Sequence, residues 1–196
     1  MAKLLIKERI FVRTNDFIAE WNKLVNFFYL IAIPILTGVL SKIKIEMWPV
    51  PVTFQTVGVL YAGLLLGPKR GALSQIIYIL MGLLGFPLFA RGGGLMYILS
   101  PTFGYLLGFV LASYLAGHAR KFFFGKFNSK FIQGILIIIF ANLAIYITGI
   151  SWLILFTGLS LQKSIQVGFM PFIPGDIFKI MLVLLLYSGF GNKREL

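Results

Sequence analysis

Five stretches of this chain, residues 24–41, 47–68, 71–90, 92–119 and 131–162, contain no Asp, Glu, Lys or Arg. A sixth, 175–190, is charged only at its start, by Asp176 and Lys179. About 20 predominantly apolar residues in a helix match the hydrocarbon thickness of a bilayer, so the pattern predicts an all-α integral membrane protein. Six transmembrane helices are expected in a compact bundle, near residues 24–41, 53–67, 70–86, 102–118, 131–152 and 175–190. Composition agrees: 59% of the 196 residues are hydrophobic and 12% charged, against about 45–50% and 25% in soluble domains. An aromatic content of 16% excludes disorder. Residues 1–196 read as a single membrane domain. Within it, 1–23 alternate charged and apolar residues and are expected to form a cytoplasmic amphipathic segment, not a cleaved signal peptide.

Lys and Arg number 18 against 6 Asp and Glu, for a net charge of +12. Such an excess accompanies nucleic-acid binding when it spreads over a soluble face, but here it sorts by loop. With the N-terminus inside, thirteen cations fall on the inner side: Lys3, Lys7, Arg9, Arg13, Lys23, Lys69, Arg70, Arg120, Lys121, Lys126, Lys130, Lys193 and Arg194. Lys42, Lys44, Arg91 and Lys163 fall outside, and Lys179 lies in the sixth span. The positive-inside rule therefore predicts a multi-pass protein of the cell membrane with both termini cytoplasmic. The lipid bilayer accounts for the charge, and no nucleic acid is implied.

Cysteine is absent and His118 is the only histidine, so disulfides, thiolate zinc sites and cysteine nucleophiles are excluded. No G-x-x-x-x-G-K-[ST] phosphate loop occurs, so ATP has no binding site of that type. The outer connections are unusual. KIEMWPVPVTF, GFPLFARGGGLMYILSPT and LSLQKSIQVGFMPFIPG are apolar and rich in Pro, Gly and aromatics. Non-helical backbone at membrane depth is tolerated where it is buried in protein or lines a cavity. These loops are therefore expected to fold over the outer end of the bundle and cover a ligand pocket.

Small residues four apart, Gly104, Gly108, Ala112 and Ala116, stripe one face of the fourth span; Gly58 with Ala62 and Gly63 with Gly67 repeat the spacing in the second. Such stripes bring helix backbones together in lipid, and internal packing is the expected use. Ionisable groups in a membrane are costly and mark functional positions. Asp176 and Lys179, three apart, share a helical face. Arg91 stands in an outer loop beside three glycines. Thr53, Gln55, Tyr105, Asn142 and Tyr146 fall in the same outer half, whereas Gln75 falls near the inner end and reads as structural. The outer set describes a pocket with two cations, neutral hydrogen-bonding groups and apolar walls, suited to a small carboxylate ligand.

Residues 49–112 carry P-x-T-x-Q (Pro51, Thr53, Gln55), AGLLLGPKRG, GFPLFARGGG and SPTFGYLLGF in order, and PGDIFK follows at Pro174 to Lys179. This run resembles the BioY family, the biotin-binding membrane subunits (S components) of energy-coupling-factor (ECF) transporters. The resemblance implies a six-helix bundle that captures biotin from outside and performs no chemistry. It implies a carboxylate site at Arg91 and Lys179, with Asp176 beside them; the ureido ring of such a ligand needs neutral donors and acceptors, for which Gln55, Asn142 and Tyr146 are the candidates in this sequence. It also implies a membrane coupling (T) subunit and cytoplasmic ATPase subunits as partners, which use ATP, and no cofactor in this chain. The family's first-helix docking stripe is altered: Leu36 follows Ala32 at the four-residue spacing, and Thr37 with Ser41 is the remaining small pair. A subunit for another vitamin, thiamine or riboflavin, is the alternative. An integral-membrane enzyme is a third reading, but no nucleophile, base and orienting group can be assembled from these residues.

Overall fold

Each apolar run contains a helix. The computed structural model describes residues 24–25, 27–123 and 130–190; the expected amphipathic segment 1–23, and Lys126, Lys193 and Arg194, lie outside them. The order is α1 (Phe27–Leu40), a hairpin of β1 (Lys44–Ile45) and β2 (Val52–Thr53), then α2 (Gln55–Leu66) and α3 (Pro68–Leu83). After a 3-10 turn at Leu95–Leu99 come α4 (Phe103–Phe123), α5 (Lys130–Thr157), a short α6 (Leu161–Gly168), a 3-10 turn at Met170–Phe172, and α7 (Ile173–Phe190). Two helical stretches, Ile132–Thr157 and Leu161–Val183, are long and apolar enough to cross a membrane. Phe27–Leu40 and Gln55–Leu66 are shorter apolar helices.

Several boundaries differ from expectation for identifiable reasons. The all-α expectation omitted the hairpin, where Lys44 pairs with Thr53 and Ile45 with Val52 in antiparallel register. Thr53 is therefore strand, and α2 starts at Gln55. Helix α5 runs 28 residues, past the expected end at 152, because no breaker occurs before Gly158, whose φ is +69°. Helix α6 was expected only as loop; Ser160 starts it by accepting the Lys163 backbone N–H at its hydroxyl. Helix α7 begins two residues early because Pro174 falls in its first turn, where a missing N–H costs nothing.

The small-residue stripes pack the bundle internally. A Cβ on Gly104 would collide with Trp152, and one on Gly108 with Thr148 and Ile145, so α4 and α5 meet at backbone distance. A Cβ on Gly63 would strike the Ser113 carbonyl of α4, and one on Gly58 the Thr37 side chain of α1. Thr37 and Ser41 are thus buried inside the bundle, while Leu36 is exposed. The core is apolar, with Leu60, Tyr78, Phe89, Ile137, Ile138 and Leu153 fully buried. The perimeter is apolar too. Phe27 and Phe28 on α1, Leu107 and Leu111 on α4, Ile139, Phe140, Leu143 and Ile147 on α5, and Ile177 and Met181 on α7 are exposed. Apolar side chains exposed in such number suit lipid better than water.

Helix α2 has 12 residues and is about 18 Å long at 1.5 Å per residue, well short of a bilayer core of about 30 Å. The segment in front of it, 50–53, is non-helical and buried. Unwound buried backbone of this kind lines a cavity.

Candidate ligand-binding site

That cavity lies among the hairpin, the starts of α2, α4 and α7, and the C-terminal half of α5, and encloses about 490 Å³ with its open mouth included. Aromatic and aliphatic side chains from Val50, Phe109, Ile145 and Phe172 form much of its wall. Tyr105 stacks on Phe172 with ring centroids 6.1 Å apart, and Tyr146 meets Phe169 edge-on at 4.7 Å. The Tyr105 hydroxyl donates to the Gly168 carbonyl at 2.9 Å, fixing α6 against α4.

Of the residues expected at the site, Thr53, Gln55, Tyr146, Asp176 and Lys179 line this cavity together. Lys179 is 3% exposed, and its Nζ donates to Asp176 Oδ1 at 2.9 Å. The Tyr146 hydroxyl donates to the other oxygen, Asp176 Oδ2. Both carboxylate oxygens are therefore engaged, while two of the three ammonium donors of Lys179 have no such partner among these groups. Asp176 lies in the first turn of α7, where the helix dipole favours an anion. The pair is consequently neutral overall but presents a cation to the cavity.

A second polar chain runs from the hairpin into the bundle. Thr53 Oγ1 donates to Gln55 Oε1 at 2.8 Å, Gln55 Nε2 donates to the Tyr78 hydroxyl, and that hydroxyl donates to the Leu88 carbonyl at 3.0 Å. It locks the Gln55 amide in one orientation.

Arg91 and Asn142 are not among the lining residues. Asn142 is half-buried on α5, one helical turn before Tyr146. Arg91 sits at the tip of a tight turn closed by reciprocal Phe89–Gly92 backbone bonds of 2.8 and 3.2 Å. The neighbouring glycines serve that turn: Gly92 and Gly94 have φ of +114° and +100°, a region that side chains disfavour. The Arg91 guanidinium, 38% exposed, donates to the Met47 carbonyl at 2.8 Å and the Pro49 carbonyl at 3.3 Å, with Glu46 at 3.5 Å. In return, Lys42, two residues before the hairpin, and Lys44 at its start donate to the Phe89 and Ala90 carbonyls at 2.8 and 2.7 Å. Lys44 also pairs with Glu46. Its hydrogen bond holds the Glu46 carboxyl below its ordinary range, with Arg91 adding to the effect. These contacts fasten the hairpin to the Arg91 turn, and both flank the cavity through Val50, Pro51 and Ala90.

Tyr97, Thr102 and Phe172 line the cavity without having been expected there. Tyr97 and Phe172 come from apolar loops where hydropathy does not separate a wall residue from a lipid-facing one. Burial pushes the Tyr97 hydroxyl pKa up, and Thr102 Oγ1 donates to it at 3.1 Å. Tyr78, behind Gln55, was also missed; a mid-helix Tyr gives no signal of its partner. Gln75 is fully buried and is not among the lining residues.

The model of the BioY family matches residues 14–194. The chain belongs to that family. A probable biotin transporter BioY of Pyrococcus horikoshii is 38% identical over 152 residues, 77% of this chain and 86% of the relative. The biotin transporter BioY of Rhizobium etli is 34% identical over 160 residues, covering 79% and 85%. Among solved structures, the S-component for biotin from an ECF-type ABC transporter superposes with a TM-score of 0.78 at 26% identity, covering 88% of this chain and 94% of that one. The mostly helical BioY fold is thus shared along nearly the whole length, and these relatives are transporter components, not enzymes.

Proposed function

We propose that this BioY-family protein is the biotin-binding S component of an ECF transporter, capturing biotin from the outside and passing it inward without chemistry. The observation that carries the reading is Lys179, a buried cation held by Asp176 in a cavity otherwise walled by aromatics and aliphatics. A buried cation selects a carboxylate, and the walls select an apolar body with few polar groups. In this reading the chain crosses the membrane six times with both termini cytoplasmic, supported by the placement of its cations and its apolar perimeter. A membrane coupling subunit and cytoplasmic ATPases supply the energy.

Within the site, Lys179 takes the valerate carboxylate. Arg91 is the second cation, reached when the ligand carboxylate replaces Glu46 at the guanidinium; that exchange conserves its charge pairing. Gln55 and Tyr146 supply neutral donors and acceptors to the ureido ring, with Thr53 orienting Gln55. Asn142 joins them when ligand widens the cavity toward the next turn of α5. The test is titration of the purified protein in detergent with biotin, thiamine and riboflavin. Saturable 1:1 binding of biotin alone is the expected result. Binding of another vitamin in its place, or of none by folded protein, rejects the assignment.

A further inference from the structure

Four buried side-chain polar atoms have no hydrogen-bond partner among the described residues: Thr56 Oγ1, Gln75 Oε1, Ser113 Oγ and Ser164 Oγ. Of the four residues, Thr56 alone lines the cavity. Its hydroxyl stands out because the other hydroxyl, amide and carboxylate groups of the wall are engaged, and Lys179 is paired with Asp176. Thr53 and Gln55 are tied into the chain that ends on Leu88. Tyr97, Thr102 and Ser100 bond one another, and Tyr105 is held by Gly168. Tyr146 and Asp176 are joined. A hydroxyl in the first turn of a helix ordinarily bonds a nearby backbone group, and a buried hydroxyl with no partner carries a desolvation penalty. A site retains such a group when something else completes it.

We propose that the Thr56 hydroxyl is a specificity contact for a neutral polar group of the ligand, which satisfies it only when bound. This rests on the biotin reading above, in which the group is the ureido ring. A hydroxyl both donates and accepts, so it matches a ring carrying a carbonyl and N–H groups, whereas the carboxylate has Lys179. The contact adds discrimination: a ligand of the same shape without a neutral polar group leaves the hydroxyl unpaired in a dry site.

The test is Thr56→Val, which keeps the branched shape and removes the hydroxyl, measured by calorimetric titration with biotin and with biotinamide, whose carboxylate is replaced. One neutral hydrogen bond corresponds to about 3- to 10-fold in affinity. The expected result is a loss of that size for both ligands, with Thr56→Ser within about 2-fold of the parent protein. The ligand-free melting temperature of Thr56→Val should be equal to or above that of the parent, since an unpaired buried hydroxyl has been removed. Unchanged biotin affinity in Thr56→Val overturns the proposal alone. A loss confined to biotin overturns it by placing the hydroxyl on the carboxylate. A lower ligand-free melting temperature in both Thr56→Val and Thr56→Ser overturns it in favour of a structural role. If the parent protein binds no biotin, the ligand assignment fails, and the proposal with it.

Discussion

Lys179→Met separates recognition of a carboxylate from support of the fold. The substitution keeps a long unbranched side chain and removes the ammonium. The side chains of Lys179 and Asp176 are 4% and 13% exposed at an N–O separation of 2.9 Å, so the pair is shielded from water. Removing one partner of a buried pair strands the other charge and costs about 3–5 kcal/mol of stability, here moderated by the Tyr146 hydrogen bond that Asp176 keeps. Truncating the cation that meets a buried ligand carboxylate costs about 2–5 kcal/mol of binding, or about 30- to 4,000-fold in affinity. Biotinamide has no carboxylate and should lose less than about 3-fold. Asp176→Asn combined with Lys179→Met removes the stranded charge. The double variant should recover most of the lost melting temperature while leaving biotin affinity low. Calorimetric titration with both ligands and thermal melts of the three proteins give all the values. Equal losses for biotin and biotinamide, or recovery of biotin binding in the double variant, would refute the reasoning.

Three other perturbations follow from the same geometry. Tyr78→Phe strands the Gln55 amide and the Leu88 carbonyl, and should lower stability by about 1–3 kcal/mol, together with a several-fold loss of biotin affinity read by titration. Gly108→Val places side chain where α5 backbone lies, 2.7 Å from Ile145 Cα; overpacking of that kind costs about 1–3 kcal/mol or more, visible as a lower melting temperature and a poor gel-filtration profile. Acid should release the hairpin. Because the Glu46 carboxyl is depressed below its ordinary 4.5, its contacts with Lys44 and Arg91 contribute fully above that pH and are lost as pH falls through the lower folded value. Tryptophan fluorescence should report this change at Trp48, beside the hairpin contacts, and Glu46→Gln should abolish it.

The helices were legible because each falls within a long apolar run with few or no charges, and the stripe Gly104, Gly108, Ala112, Ala116 announced where backbones meet. Helix ends were less legible. Apolar sequence continues past residue 152 with no local signal to stop until Gly158, and the short pairing of Lys44–Ile45 with Val52–Thr53 is set by tertiary contacts that hydropathy does not encode. At the site, Asp176 and Lys179 stood out because charge inside an otherwise apolar run is rare, and their spacing already placed them on one face. Tyr97 and Phe172 did not stand out, since an aromatic in an apolar loop looks the same whether it faces lipid or ligand. The Arg91 position was legible but its engagement was not: the carbonyls of Met47 and Pro49 that hold it lie more than 40 residues earlier in the chain, and only folding brings them to the guanidinium.

Native mass spectrometry of the protein purified from biotin-containing medium tests the central claim most directly. The expected spectrum shows one biotin per chain in the parent protein and a strongly reduced adduct in Lys179→Met. A parent protein that is folded yet carries no biotin, or a Lys179→Met protein that retains it in full, would contradict the account.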